Sequence, residues 1–258
     1  MKAVRFFAIA LPVIAVFCAA SQAQLLVEQF NYVNGPLVGN GVDGSHLWAS
    51  HSGTPNQLQV LGGKAIAVQA TQSEDVNVPV GITLGAGQKI YAAFDVTVGS
   101  TGALSGTSPA YFAHFKDAGT ANFSGRVYAV PSTVGGDYTY GIRGGSGVGA
   151  AASWASGFTL GTTQRIVVMY EFGTGVNKLW IGPANEGSTS ISDTVVSSFA
   201  ISAFALREAS YSTATGVTES VDSLCIDTTF DGALNCTPEP ATAALLGFGV
   251  LTMIRRRR

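Results

Sequence analysis

Short apolar segments rich in Val, Ile, Tyr, Phe and Thr recur through the middle of the chain. Glycine, proline, asparagine and serine punctuate the gaps between them. That pattern predicts strands. The segments are Leu25–Phe30, Leu58–Val60, Lys64–Ala70, Val76–Val80, Lys89–Thr97, Ala110–Phe115, Gly125–Val130, Tyr138–Arg143, Arg165–Phe172, Val176–Ile181, Phe199–Ala209 and Ser220–Thr228. No stretch repeats its apolar positions every 3.6 residues, so no helix is expected among them. Ile90–Val96 and Arg165–Glu171 read as central strands, and Gly173-Thr174-Gly175 joins the second to Val176–Ile181 as a hairpin. A dozen short strands without helices predict an all-β fold of two antiparallel sheets packed face to face.

The two ends follow another pattern. Residues 1–23 carry Lys2 and Arg5, then an apolar stretch from Phe6 to Ala20, then Ser21-Gln22-Ala23. A charged start, an apolar middle and a small-x-small end are the parts of a secretory signal peptide. Residues 238–258 hold Pro238-Glu239-Pro240, an uncharged run from Ala241 to Ile254, and four arginines, Arg255, Arg256, Arg257 and Arg258. As a helix the run is about 21 Å long, short against a hydrocarbon core of about 30 Å. The arginines hold its end on the cytoplasmic side, and the two prolines keep the preceding chain extended.

This order of proline-flanked glutamate, apolar run and arginine tail resembles the C-terminal signal of the PEP-CTERM sorting-domain proteins of Gram-negative bacteria. In that resemblance Pro238, Glu239 and Pro240 are the processing motif, and Arg255, Arg256, Arg257 and Arg258 the cationic tail. It implies that signal peptidase and exosortase, a membrane-embedded cysteine protease, process the chain. It also implies Sec export, a transient stay in the inner membrane through residues 241–254, and delivery to the cell surface or extracellular matrix. Residues 24–237 remain as the expected folded domain.

Composition narrows what that domain does. The chain carries a formal net charge of −2. Lys2, Arg5 and the four terminal arginines are six of its fourteen basic residues, so the remainder has eight against sixteen acidic residues, a net −8. An acidic exported domain argues against nucleic acid and anionic lipid as partners. Cys18 leaves with the signal peptide, and the remaining two cysteines, Cys225 and Cys236, are expected to pair in an oxidising compartment.

Two further segments, Lys178-Leu179-Trp180-Ile181-Gly182-Pro183 and Val221–Thr229, resemble late strands of concanavalin A-like, laminin-G-like jelly rolls. That family includes laminarinase-type glycoside hydrolases, which carry an E-x-D-x-x-E strand. No segment here matches it. Glu74 and Asp75 are adjacent, and Glu219 and Asp222 are three apart, so each pair points to opposite faces of a strand. His46, His51 and His114 lack metal-ligand spacing, and the glycine run Gly141–Gly149 lacks the Lys-Ser/Thr of a phosphate loop. No cofactor is expected. Calcium stays open at the turn residues Asp43, Asp137 and Asp231.

Sugars stack on flat aromatic faces, and Trp48 and Trp154 stand in glycine- and serine-rich loops. They are the candidate carbohydrate-binding residues, with packing at the ends of the sandwich as the alternative. The expectation is a non-enzymatic surface or matrix protein with a structural or adhesive role. A module binding exopolysaccharide is the second reading, and a glycoside hydrolase the third.

Overall fold

The computed structural model describes residues 24–100, 110–195, 199–209 and 217–236. The signal segment 1–23 lies outside these residues, and so do Pro238, Glu239, Pro240 and the apolar run after them. The tail of Arg255, Arg256, Arg257 and Arg258 also lies outside the described residues. Among the described residues no helix is long and apolar enough to cross a membrane.

In chain order the strands are β1 (Leu26–Glu28), β2 (Gly35–Pro36), β3 (Ala49–Ser52), β4 (Gln59–Leu61), β5 (Lys64–Gln69), β6 (Asp75–Pro79), β7 (Lys89–Ser100) and β8 (Tyr111–Lys116). They continue as β9 (Phe123–Pro131), β10 (Tyr138–Arg143), β11 (Ala152–Ser153), β12 (Thr163–Glu171), β13 (Val176–Ile181), β14 (Ile191–Thr194), β15 (Ala203–Arg207) and β16 (Val217–Asp227), before a helix α1 (Phe230–Leu234). Each of the twelve expected segments overlaps a strand. β2, β3, β11 and β14 went unforeseen because they are two to four residues long and mostly small or polar.

The expected antiparallel sandwich forms. A nine-stranded sheet runs β14-β13-β12-β7-β16-β5-β4-β2, with β1 beside the C-terminal half of β16. A seven-stranded sheet runs β11-β10-β9-β8-β15-β6-β3. In β7, Ile90, Ala92, Phe94, Val96 and Val98 alternate into the space between the sheets. Phe94 meets Phe112 and Phe204 there, with ring centroids 6.3 and 5.8 Å apart. These rings come from both sheets, so the apolar area they bury holds the layers together.

The helix α1 departs from the helix-free expectation. At five residues it is too short to show a period. Thr229 caps it by accepting from Gly232 N, and Asp231 sits in its first turn, both favourable at a helix start. It lies on the outer face of the nine-stranded sheet. There Tyr91, Ala93, Val167, Met169, Trp180, Phe230 and Ala233 form a second, smaller apolar cluster. Trp180 is fully buried in this outer layer. Cys225 and Cys236 are joined by a disulfide with their Cα atoms 5.8 Å apart, which ties β16 to the chain leaving α1. Arg165 donates to Ser223 O at 2.8 Å and to Leu234 O at 3.4 Å, satisfying a carbonyl at the end of the helix.

Candidate ligand-binding face

The outer face of the seven-stranded sheet is built differently, and irregular pairing is the reason. The register of β8 against β9 shifts between Tyr111 and Ala113 and again between Ala113 and Phe115. Gly125 turns through φ +59°, and a Cβ there would meet Phe115 and Val168 at 3.1 and 3.2 Å. Such bulges re-aim side chains. Tyr111 and His114, three residues apart, thus share a face, as do Phe123 and Arg126. The rings gather tightly: Tyr111 to His114 is 5.1 Å, Tyr111 to Tyr128 5.7 Å and His114 to Phe123 4.7 Å. His51 of β3 approaches His114 at 6.3 Å. Tyr111, Phe123 and His51 stay half-buried, while His114 is 0% exposed.

Charge collects around these rings. The Arg207 guanidinium lies 4.4 Å from the Tyr111 ring centre and that of Arg126 lies 5.2 Å away, within cation–π range. Asp75 takes the Ser52 hydroxyl at 2.7 Å and lies 3.3 Å from Arg207 Nε, with His51 Nε2 4.0 Å away. Burial holds the Asp75 carboxyl above its ordinary value, against the pull of Arg207. Burial, then Lys116 and Arg207, push the His51 imidazole down to about 4. Burial drives His114 well below its ordinary value, and His51, Arg207, Lys116 and Arg126 add to the effect. Both histidines are therefore neutral at pH 7. Among the described residues neither ring nitrogen of His114 has a hydrogen-bond partner, and Arg126 Nε and one terminal nitrogen have none. Such groups are rare in a folded interior.

The glycine run expected as a loop after β10 has a definite task here. Arg143 donates to the carbonyls of Gly149 and Val148, and Arg126 to that of Gly147 at 3.1 Å. Gly147 has φ +114°, and a Cβ there would sit 2.8 Å from an Arg143 nitrogen. The loop turns its carbonyls onto the two guanidinium groups.

The tryptophans divide. Trp48 is 1% exposed. Its ring packs 5.9 Å from Phe30 and its Nε1 donates to Glu28 at 3.0 Å. Glu28 also accepts from Phe30 N and the Tyr32 hydroxyl. Trp48 is therefore a strut rather than a sugar platform, which corrects its place as a binding candidate. The physical reason is that a buried carboxylate draws the indole inward. Trp154 is half-buried beyond β11, its backbone bonded to Tyr140 O and Thr139. His46 is held by Asp43 at 2.9 Å in a turn.

Two carboxyl groups are buried near the end of β15 and in β16: Glu208 accepts from Val68 N and Glu219 from the Gln69 side chain. Both are 1% exposed, out of the reach of a polymer. Burial raises Glu208 to about 7 and Glu219 to about 8. Beside α1, a cleft of about 510 Å³ is lined by Asn185, Glu186, Thr229 and Asp231, with Tyr91 and Phe230 at its floor. Both rings there are buried in the outer cluster, Tyr91 at 2% and Phe230 at 4% exposure. Among the described residues no group of three or more His, Cys, Asp or Glu is placed to hold a metal ion.

No family model matches the chain, and no curated protein matches it. Among solved structures it is similar to the Emp47p carbohydrate recognition domain, at 10% identity and a TM-score of 0.46, over 81% of this chain and 100% of that one. The seed lectin of Lotus tetragonolobus shares 9% identity at a TM-score of 0.41, over 75% of this chain and 96% of the lectin. A mutant Trypanosoma rangeli sialidase displaying trans-sialidase activity shares 13% at 0.43, over 76% of this chain but 30% of that protein. At such identities the site must be read from this chain's own residues.

Proposed function

We propose that the protein is an exported, non-enzymatic surface or matrix component that holds polysaccharide on the outer face of its seven-stranded sheet. The observation that carries this reading is the half-buried pair Tyr111 and Phe123, beside His114 and Arg126 nitrogens that have no hydrogen-bond partner among the described residues. Aromatic faces beside polar donors suit a sugar ring, which is apolar on its faces and hydroxylated at its edge. A hydrolase needs two carboxyl groups across an accessible cleft. On this face Asp75 stands alone in its strands and is tied to Ser52 and Arg207. Signal peptidase acts after Ala23, and exosortase acts near Pro238-Glu239-Pro240 once residues 241–254 have entered the inner membrane. Arg255, Arg256, Arg257 and Arg258 keep the end of that segment on the cytoplasmic side. The product is a surface or matrix protein with an adhesive role.

A glycan array probed with the full-length protein tests the binding. Retention of at least one polysaccharide is expected, weakened about tenfold by Tyr111→Ala, a loss near 1.4 kcal/mol. No retention, or equal retention by the variant, would overturn the reading. Release of reducing ends above a boiled control, abolished by a single Asp or Glu substitution, would make the protein a hydrolase instead.

A further inference from the structure

We propose that the polysaccharide is acidic, and that its carboxylate or sulfate groups seat against Arg126 and Arg143. This rests on the binding reading above and names the chemistry of the ligand.

Arg126 and Arg143 are direct partners in the β9–β10 register. Like charges opposite one another across two strands repel, so the pair needs a compensating charge. The protein supplies dipoles only. Carbonyls of Gly147, Val148 and Gly149 take some of the N–H groups, and Arg126, 6% exposed, keeps two nitrogens without hydrogen-bond partners among the described residues. No ion pair to either arginine occurs among the described residues. The internal segments 101–109, 196–198 and 210–216 contain no Asp or Glu. In the seven strands of this sheet Asp75 is the single acidic residue, against Lys116, Arg126, Arg143 and Arg207. Asp75 is engaged with Arg207. Guanidinium forks match planar carboxylates and sulfate oxygens in paired bonds. The Tyr111 ring lies beside this pair, its centre 5.2 Å from the Arg126 guanidinium and 4.4 Å from that of Arg207.

The test compares dextran, carboxymethyl dextran and dextran sulfate, with laminarin as a further neutral polymer, on the full-length protein at physiological salt. Carboxymethyl dextran or dextran sulfate should bind at least about tenfold more tightly than dextran, and their ratio identifies which anion fits. Arg143→Gln should weaken that binding about tenfold, while Lys64→Gln, the same charge change on the other sheet, should leave it unaltered. Equal binding of neutral and charged dextran, or binding of the neutral polymers alone, would overturn the acidic ligand and leave the polysaccharide reading standing. Equal weakening by both variants would reduce the effect to net charge and overturn the site. Binding of no polymer would remove the polysaccharide reading itself. Should Arg143→Gln fail to fold, competition on the unaltered protein decides. Glucuronate must displace carboxymethyl dextran and glucose must not, and equal displacement overturns the proposal.

Discussion

The outer faces of the two sheets solve the same problem in opposite ways. A sheet in a sandwich buries one face and must do something with the other. The nine-stranded sheet covers its outer face with α1, so that Phe230 meets Trp180 at 5.1 Å and Tyr91 at 5.9 Å, and a disulfide clamps the cover down. Its strands hold seven acidic residues against four basic. The seven-stranded sheet has four basic residues against one acidic, and among the described residues His114 and Arg126 keep nitrogens without hydrogen-bond partners. One face spends its residues on stability. The other keeps polar groups that cost stability, and unsatisfied groups persist in a fold where binding uses them.

Three measurements would break or sharpen that contrast. The largest effect belongs to the covered face. Phe230→Ala should lower stability by about 3–5 kcal/mol, as large-to-small changes in packed cores do, read as a shift in urea midpoint at unchanged slope. A loss under about 1 kcal/mol would mean that α1 rests on the sheet without packing into it.

The second concerns pH and separates the outer histidines from the buried carboxyls of Glu208 and Glu219. Those two have folded values raised above the ordinary 4.5, to about 7 and about 8. Their contribution is present below pH 4.5 and is lost as pH rises through 7 and 8. His51 has a folded value of about 4, below the ordinary 6.5, so its contribution is present above 6.5 and is lost as pH falls through 4. His114 shifts in the same direction. The slopes oppose one another between 4.5 and 6.5, and above 6.5 the carboxyls act alone. Thermal stability should therefore fall from pH 6.5 to 8, with Glu219 responsible for about 2 kcal/mol. Glu219→Gln should flatten the curve, and a curve of wild-type steepness in that variant would show that Glu219 is ionised in the fold.

The smallest effect is on the outer face of the seven-stranded sheet and has the opposite sign. His114→Leu removes two nitrogens that make no hydrogen bond. Stability should stay level or rise by up to about 1 kcal/mol, while retention on polysaccharide falls. A loss above about 2 kcal/mol would reveal that the imidazole has a structural partner and is not kept for a ligand.

Much of this protein was legible in the sequence because it depends on neighbours along the chain. Strand segments follow from local apolar content and punctuation, and the central strands β7 and β12 do pair with each other, Arg165 opposite Asp95. The two cysteines sit eleven residues apart, and the chain between them is short enough to close with little rearrangement. The opposite directions of Glu74 and Asp75 hold as well: Glu74 turns to the backbone of Asn56, Gln57 and Leu58, and Asp75 to the outer face. Tertiary structure decided the rest. A tryptophan in a loop-like segment reads as exposed until Glu28, twenty residues earlier, draws its indole inward. Four cations dispersed from Lys116 to Arg207 look like solvated surface until bulges in β8 and β9 and the β9–β10 register bring them to one face. Burial and charge at a point in space sum over strands far apart in sequence, and a period of two along one strand carries no record of its neighbours. The fold class is therefore written locally, while the candidate site exists only where the strands meet.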